Sequence, residues 1–399
     1  MTDRPAPPTA DEVRALLRAV IDPELGANIV DLGMATEVDV TPDGVVGVGI
    51  KLTIKGCPLR AQIKKDIESR LLTHRGVSDV RITWGEMTAD ERSEVMSRAR
   101  WNAREAATDT AVPTTARVLA IASGKGGVGK SSVTANLAVA LAAQGRIVGV
   151  LDADIWGFSM PRMLGMSERL EARRIDGHEK PRIIPNERRV GDGLLKVVST
   201  GMLVEDEGTA LMWRGLMLTK AVEQFLHDVH WGDLDFLLID MPPGTGDVQM
   251  GLARMLPRTD LIIVTTPATS AQKVAIRAAD MARRSFLRVA GVIENMSEFT
   301  CDHGESYALF GAGGGAALAT EIGAPLLGQV PIENAVARGS DLGEPIAVAG
   351  DSAAARVFRT IANDIISSTV SLSEMSGCSA RDPQVVAVAV RTKPVGQRS

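Results

Sequence analysis

The stretch that decides the fold is Ser123-Gly124-Lys125-Gly126-Gly127-Val128-Gly129-Lys130-Ser131-Ser132. An apolar run, VLAIA at 118–122, comes before it. A helical run, SVTANLAVALAAQG at 132–145, follows and ends on a glycine. The segment satisfies G-x-x-x-x-G-K-[ST], with Gly124, Gly129, Lys130 and Ser131 in the defining places. Strand, glycine-rich loop and helix in that order form an anion cradle. Glycines let successive backbone N–H groups turn inward around a phosphate, and the helix N-terminus adds its partial positive charge. Lys130 is therefore expected to reach the β- and γ-phosphates of a bound nucleotide, and Ser131 to ligate Mg2+. Gly124, Lys125, Gly126, Gly127, Val128, Gly129, Lys130, Ser131 and Ser132 are the expected phosphate contacts.

Outward from the loop, short continuous apolar runs alternate with helical patterns: RVLAIAS, RIVGVLDAD, LLKVVST, LDFLLID, DLIIVTTP, VAGVIEN and APLLGQVP. Runs whose polar residues sit at their ends are what a parallel sheet covered on both faces produces. The expected fold is α/β, a doubly wound and mostly parallel sheet over residues 117–370. Two of its runs end in acid. Leu151-Asp152-Ala153-Asp154 closes one; Asp154 is expected to position the attacking water, with Asp152 supporting Mg2+ or the loop. The other is Leu237-Leu238-Ile239-Asp240, where a carboxylate at the end of an apolar strand suits the Mg2+ water shell. Pro242-Pro243-Gly244-Thr245-Gly246 then follows as a loop able to sense the γ-phosphate. An Asp pair opening a turn is the plainer alternative at 152–154.

Residues 1–100 are expected to form a small α+β domain, whose different pattern runs from Ala10 to about Arg100. A helix at 11–21 stops before Pro23, and ATEVDV at 35–40 and VVGVGIKLTI at 45–54 alternate as a hairpin about Thr41-Pro42-Asp43-Gly44. A helix opened by Pro58 and a third strand at 77–84 complete it. Residues 101–116 lose apolar periodicity and are expected to be a linker, and residues 371–399 a C-terminal tail.

Composition narrows the classes. The 399 residues carry 44 Lys and Arg against 49 Asp and Glu, a net charge of −5. That balance argues against a chain that coats phosphate backbones. Aromatic residues are only 3%, too few for base-stacking platforms. No apolar stretch reaches the ~18 residues that span a bilayer, and the first residues have no apolar signal core. Three widely spaced cysteines, Cys57, Cys301 and Cys378, fit a reducing compartment better than a disulfide framework. The expectation is a cytoplasmic protein that binds neither nucleic acid nor membrane.

With its early second lysine, the loop GKGGVGKSS resembles the deviant Walker A loop of the MinD/ParA/nitrogenase-iron-protein class. That resemblance implies that Lys125 crosses a homodimer interface to the partner's ATP, and that Asn295 reads the adenine; a turn-forming Asn is the alternative there. SGKGGVGKSSVTANLAVAL, LDADIWGFSMPRMLG, LMWRGLMLTKAVEQFL, DFLLIDMPPGTGDVQ, VIENMSEFTC and GQVPIENAVARGSDLGEPI resemble the Mrp/ApbC iron–sulfur cluster carrier ATPases. DPELGANIVDLGM at 22–34 and LTIKGCPL at 52–59 resemble the PaaD/SufT-type domain often fused to them. The resemblance implies a Mg2+-dependent, slowly turning ATP hydrolase that carries iron–sulfur clusters to apoproteins. A ParA/MinD-like positioning ATPase and a regulatory scaffold ATPase without cluster binding are the rival readings.

The departure lies at Cys301. The family's pattern here is C-x-x-C, whereas this chain runs Thr300-Cys301-Asp302-His303-Gly304. Two copies of Cys301 supply two thiolates, and His303 could add two imidazoles. Otherwise the cluster role is lost, or Cys57 or Cys378 contributes. Cys57 precedes Pro58 at a helix start, where a thiolate is favoured, although a small buried hydrophobe is the commoner fate of a free cysteine. His227 and His230, three apart near a helix end, are expected to pair with the helix dipole rather than to bind metal. Trp213-Arg214 and the run after it are expected to form packing and dimer surface.

Overall fold

The computed structural model describes residues 6–368, except for 23, 24, 26, 54–59, 106–108, 155–156, 204–214, 245 and 286. Cys57, Pro58, Trp213, Arg214, Thr245 and Cys378 lie outside the described residues.

The N-terminal unit comprises α1 (Ala10–Leu17), β1 (Ala35–Val40), β2 (Val45–Leu52), α2 (Arg60–Leu71), β3 (Asp79–Glu86) and α3 (Ala89–Glu105). Thr9 starts α1 through a capping box with Glu12. β1 and β2 form the expected hairpin, and β3 joins β2 in parallel. Strict alternation along β2 buries Val46, Val48, Ile50 and Leu52 against Ile63, Ile67 and Leu71 of α2. α3 carries on through Glu105, into the first residues of the 101–116 stretch expected as a linker. Residues 111–113 do not hang free either: the Ala111 N–H donates to the Leu226 carbonyl, and the Arg258 guanidinium caps the carbonyls of Val112 and Pro113.

The larger unit follows as β4 (Arg117–Ala122), α4 (Lys130–Ala142), β5 (Ile147–Asp152), α5 (Met160–Met163), β6 (Glu171–Arg173), β7 (Arg182–Ile184), β8 (Asn186–Val190) and β9 (Gly193–Ser199). Then come α6 (Gly215–Asp228), β10 (Phe236–Asp240), α7 (Asp247–Met255), β11 (Asp260–Thr265), α8 (Thr269–Arg284), β12 (Arg288–Thr300), β13 (Ser306–Tyr307), α9 (Gly314–Glu321), β14 (Leu326–Ile332), α10 (Asn334–Leu342) and α11 (Ala353–Ser367). The sheet order is β12-β11-β4-β10-β5-β9-β8, with β14 and β13 both on β12. Every pairing is parallel except β8 with β9 and β13 with β12.

Two apolar cores sandwich this sheet. Leu119 and Ile121 of β4 face one core with α4 and α11, while Val118, Ala120 and Ala122 face the other with α6, α7 and α8. Both faces being covered explains why the strands read as unbroken apolar runs. The central strand β4 has β11 on one side and β10 on the other, so the sequence order reverses there. The 123–129 loop leaves β4 at that reversal, where such sheets bind ligands.

Candidate nucleotide and metal site

α4 begins at Lys130 on a glycine cap, Gly129, that offers no side chain to its first N–H groups. Those donors are left for an anion. Two glycines here are required by space as well as by dihedral. At Gly124 a side chain would collide with the Val274 backbone of α8, and at Gly129 (φ +80°) with the Asn295 amide. Beside Gly126 and Gly127, by contrast, nothing lies within 4 Å of where a Cβ would stand, so the cradle keeps room for a phosphate chain.

Beneath the loop the expected residues converge. Lys130, 6% exposed, places Nζ 2.8 Å from Asp240 Oδ1 and 3.6 Å from Asp154 Oδ2. The Ser131 hydroxyl donates to Asp240 Oδ2 at 2.6 Å. Asp152 and Asp240 are fully buried neighbours on paired strands, in register at the ends of β5 and β10. Burial, with the nearby Asp240 charge, pushes the Asp152 carboxyl up to about 7, and burial raises Asp154 as well. Three carboxylates thus face one lysine. Asp240 and the Ser131 hydroxyl that donates to it are two hard oxygen donors of the kind a divalent cation takes together with phosphate and water oxygens.

Lys125 is exposed, and its side chain contacts no acid among the described residues. Ser132 contributes its carbonyl to the Asn136 amide. Asn295 is buried at the end of the β12 core segment, and its Nδ2 donates to the Val128 carbonyl at 2.9 Å. A turn-forming role is therefore not what its side chain does; it braces the loop.

Three neighbours of these residues escaped the sequence reading. Thr134 donates to Asp240 Oδ1 at 2.9 Å, and Ser199 to Asp152 Oδ2 at 3.0 Å. Gln249 is buried under the 242–246 loop, accepting from the Gly246 N–H and donating to the carbonyls of Pro242 and Gly244. The first two are ordinary hydroxyls in apolar company. Gln249, three residues beyond Gly246, carries the spacing of a helix-capping residue and was legible on that ground.

Cys301 and His303 sit apart from this cluster, on a hairpin tip between β12 and β13. The His230 ring meets His178 edge-on at 6.2 Å, beside Arg182, and among the described residues no group of three or more His, Cys, Asp and Glu could hold a metal ion. No described helix is long and apolar enough to cross a membrane.

Residues 114–366 match the family described as NUBPL iron-transfer P-loop NTPase, and residues 10–84 the one described as iron-sulfur cluster assembly protein. The iron-sulfur cluster carrier protein of Mycobacterium tuberculosis is 41% identical over 372 residues, 91% of this chain and 95% of its own. That of Deinococcus radiodurans is 41% identical over 356 residues, covering 88% and 94%. Among solved structures, a nucleotide-binding protein in complex with ADP from Archaeoglobus fulgidus is 35% identical, with a TM-score of 0.46, covering 57% of this chain and 86% of that one. The 41% identity to the Mycobacterium and Deinococcus proteins, along about nine-tenths of this chain and of theirs, places this protein in the family of iron–sulfur cluster carrier proteins.

Proposed function

We propose that this protein is a cytoplasmic, homodimeric ATPase that binds an iron–sulfur cluster and transfers it to apoproteins, with slow ATP hydrolysis resetting its conformation. The observation that carries the ATPase half is the buried Lys130–Asp240–Ser131 contact beneath an open glycine cradle. The carrier half rests on relatives of that name along almost the whole chain. Those relatives favour it over a positioning or scaffold ATPase.

In this reading the N–H groups of 124–132 wrap the phosphates, and Lys130 exchanges Asp240 for the β- and γ-phosphate oxygens. Ser131 and Asp240, with Asp152 behind them, would hold Mg2+, which neutralises charge developing on the phosphoryl oxygens. Asp154, beside Lys130 and half-buried, orients the water that attacks the γ-phosphorus. Lys125 supplies its cation to the nucleotide of the partner copy, where charge on the transferring group grows. Asn295 uses one amide hydrogen on the loop and keeps the other, with its carbonyl, for the adenine edge.

The test pairs two measurements on the full chain. Calorimetry with Mg2+ and ATP should show binding. Lys130→Ala should lower hydrolysis at least roughly a hundredfold, since it removes the cation that meets the transferring phosphate. Anaerobic reconstitution with iron and sulfide should then load a cluster that an apoprotein acceptor takes up. Absence of nucleotide binding defeats the ATPase reading, and absence of any cluster defeats the carrier reading.

A further inference from the structure

Glu294 and Asn295 end the regular ladder between β12 and β14, and strand alternation sends them to opposite faces of the sheet. Asn295 lies on the α4 face, where its Nδ2 donates to the Val128 carbonyl of the phosphate loop at 2.9 Å. Glu294 lies on the other face and is 1% exposed. One of its carboxylate oxygens accepts from the Gly315 N–H in the first turn of α9. The other accepts from the Gln329 side-chain amide of β14 at 2.6 Å. α9 starts on Gly313, which has no side chain to cap it. The carboxylate reaching in from β12 supplies that missing acceptor, with a charge that suits the helix dipole.

The anchor itself is fixed. A side chain on Gly314 would collide with the Pro267 carbonyl and the Gln272 amide, and one on Gly315 with the Glu294 side chain. Beyond Asn295 the ladder breaks. Asn295 pairs with Val330, but the next pair is Phe299 with Ile332, so β12 bulges out between them. Met296, in that bulge, has φ +57° and is the one left-handed non-glycine residue among those described. Asn295 therefore has a regular ladder on one side only, and Glu294 is the last residue that ties this ladder to a packed helix.

Asn295 has to be held for a chemical reason. The Val128 carbonyl can only accept, so the amide must turn its nitrogen to the loop. Its second Nδ2 hydrogen and its Oδ1 bond to no described residue. One donor beside one acceptor matches the N7 acceptor and the N6 amino group of adenine. Guanine offers two acceptors there, N7 and O6, and would set O6 against Oδ1. An amide free to rotate could serve either base, whereas one fixed on Val128 selects adenine.

We infer that Glu294 is the positioning residue for base selection: by locking the end of the β12 ladder to α9 and β14, it keeps the Asn295 amide on the Val128 carbonyl, in the orientation that takes adenine and rejects guanine. This assignment rests on the role proposed above for Asn295 at the adenine edge.

The test compares ATP, GTP and inorganic tripolyphosphate, each with Mg2+, by calorimetry on the full-length chain. Wild type should bind ATP about tenfold or more tighter than GTP, the discrimination of one bidentate amide–base pair, and Asn295→Ala should erase that preference. Glu294→Gln sets an amide NH2 against one of two donors, so it should cut the preference at least about fivefold and leave tripolyphosphate binding within about twofold. Glu294→Gln combined with Gln329→Glu exchanges the partners, restores both hydrogen bonds and moves the charge to an exposed position; it should recover the preference. A carboxylate that served stability alone, through its charge at α9, would show no such rescue. Gln329→Leu, at that exposed position, removes one anchor and should lower the preference part of the way. An unchanged ATP-to-GTP ratio in Glu294→Gln, or in Gln329→Leu where the buried variant does not fold, overturns the assignment and leaves Asn295 its own role. So does an exchanged pair that folds without recovery, or tripolyphosphate binding that falls as far as ATP binding. A wild type that binds ATP and GTP alike overturns the adenine role of Asn295 and this assignment with it.

Discussion

Asp152 shows how a single buried carboxyl records the purpose of its surroundings. Its Oδ2 accepts from the Ser159 and Met160 N–H groups and the Ser199 hydroxyl, yet burial and Asp240 still push it up to about 7. A carboxyl whose folded value exceeds its unfolded one stabilises the fold most fully at low pH, and that contribution is lost as pH rises through the folded value. Without metal or nucleotide, the melting temperature of wild type minus that of Asp152→Asn should therefore fall between about pH 5 and about pH 8. A separation that stays constant over that interval rules out proton binding at Asp152. Saturating Mg2+ and nucleotide should flatten the wild-type curve, because a cation then answers the charge that the proton answered before.

Between residue and sheet stands the 242–246 loop, held from below by Gln249 at the start of α7. Its amide bonds two carbonyls while its oxygen takes the Gly246 N–H, and the Gly244 N–H bonds back to the Ser123 carbonyl at the phosphate loop. The loop is thus linked to the nucleotide cradle through backbone. Gln249→Ala should cost about 1–3 kcal/mol in denaturant unfolding, the penalty of unpaired buried groups. It should also lower hydrolysis more than nucleotide affinity. Gln249→Glu should do worse, since a carboxylate cannot donate to two carbonyls. If calorimetry shows affinity falling as far as turnover, the residue serves binding rather than the loop's response. α3 taught a different lesson at this scale. Its polar C-terminal turn, Asn102-Ala103-Arg104-Glu105, has too little apolar periodicity to be told from a linker, yet the helix reaches Glu105.

For the whole molecule the open quantity is association. Exposed Lys125 lies at the edge of the sheet that carries the phosphate loop, so the proposed dimer would use that edge. Lys125→Ala should retain nucleotide binding by the isolated chain and lose ATP-dependent dimers in light scattering. Unchanged dimers in that variant would remove the cross-subunit role while leaving Lys130 its own. Reading such assembly from the chain was possible only through resemblance, because a surface lysine has no local pattern that separates a crossing cation from a solvated one.

What the sequence determined alone was everything set by neighbours along the chain. The phosphate loop is ten contiguous residues between a buried strand and a helix. The apolar runs announced a covered parallel sheet, and the hairpin at 35–52 was readable from alternation and its Pro-Asp-Gly turn. What the tertiary structure decided was which distant groups meet. Asp240 reaches Ser131 across 109 positions, and Asn295 reaches the Val128 carbonyl across 167. Strand order, and with it those meetings, follows from how helices cover both faces of the sheet. That is a property of packing among many side chains at once, which no local stretch encodes.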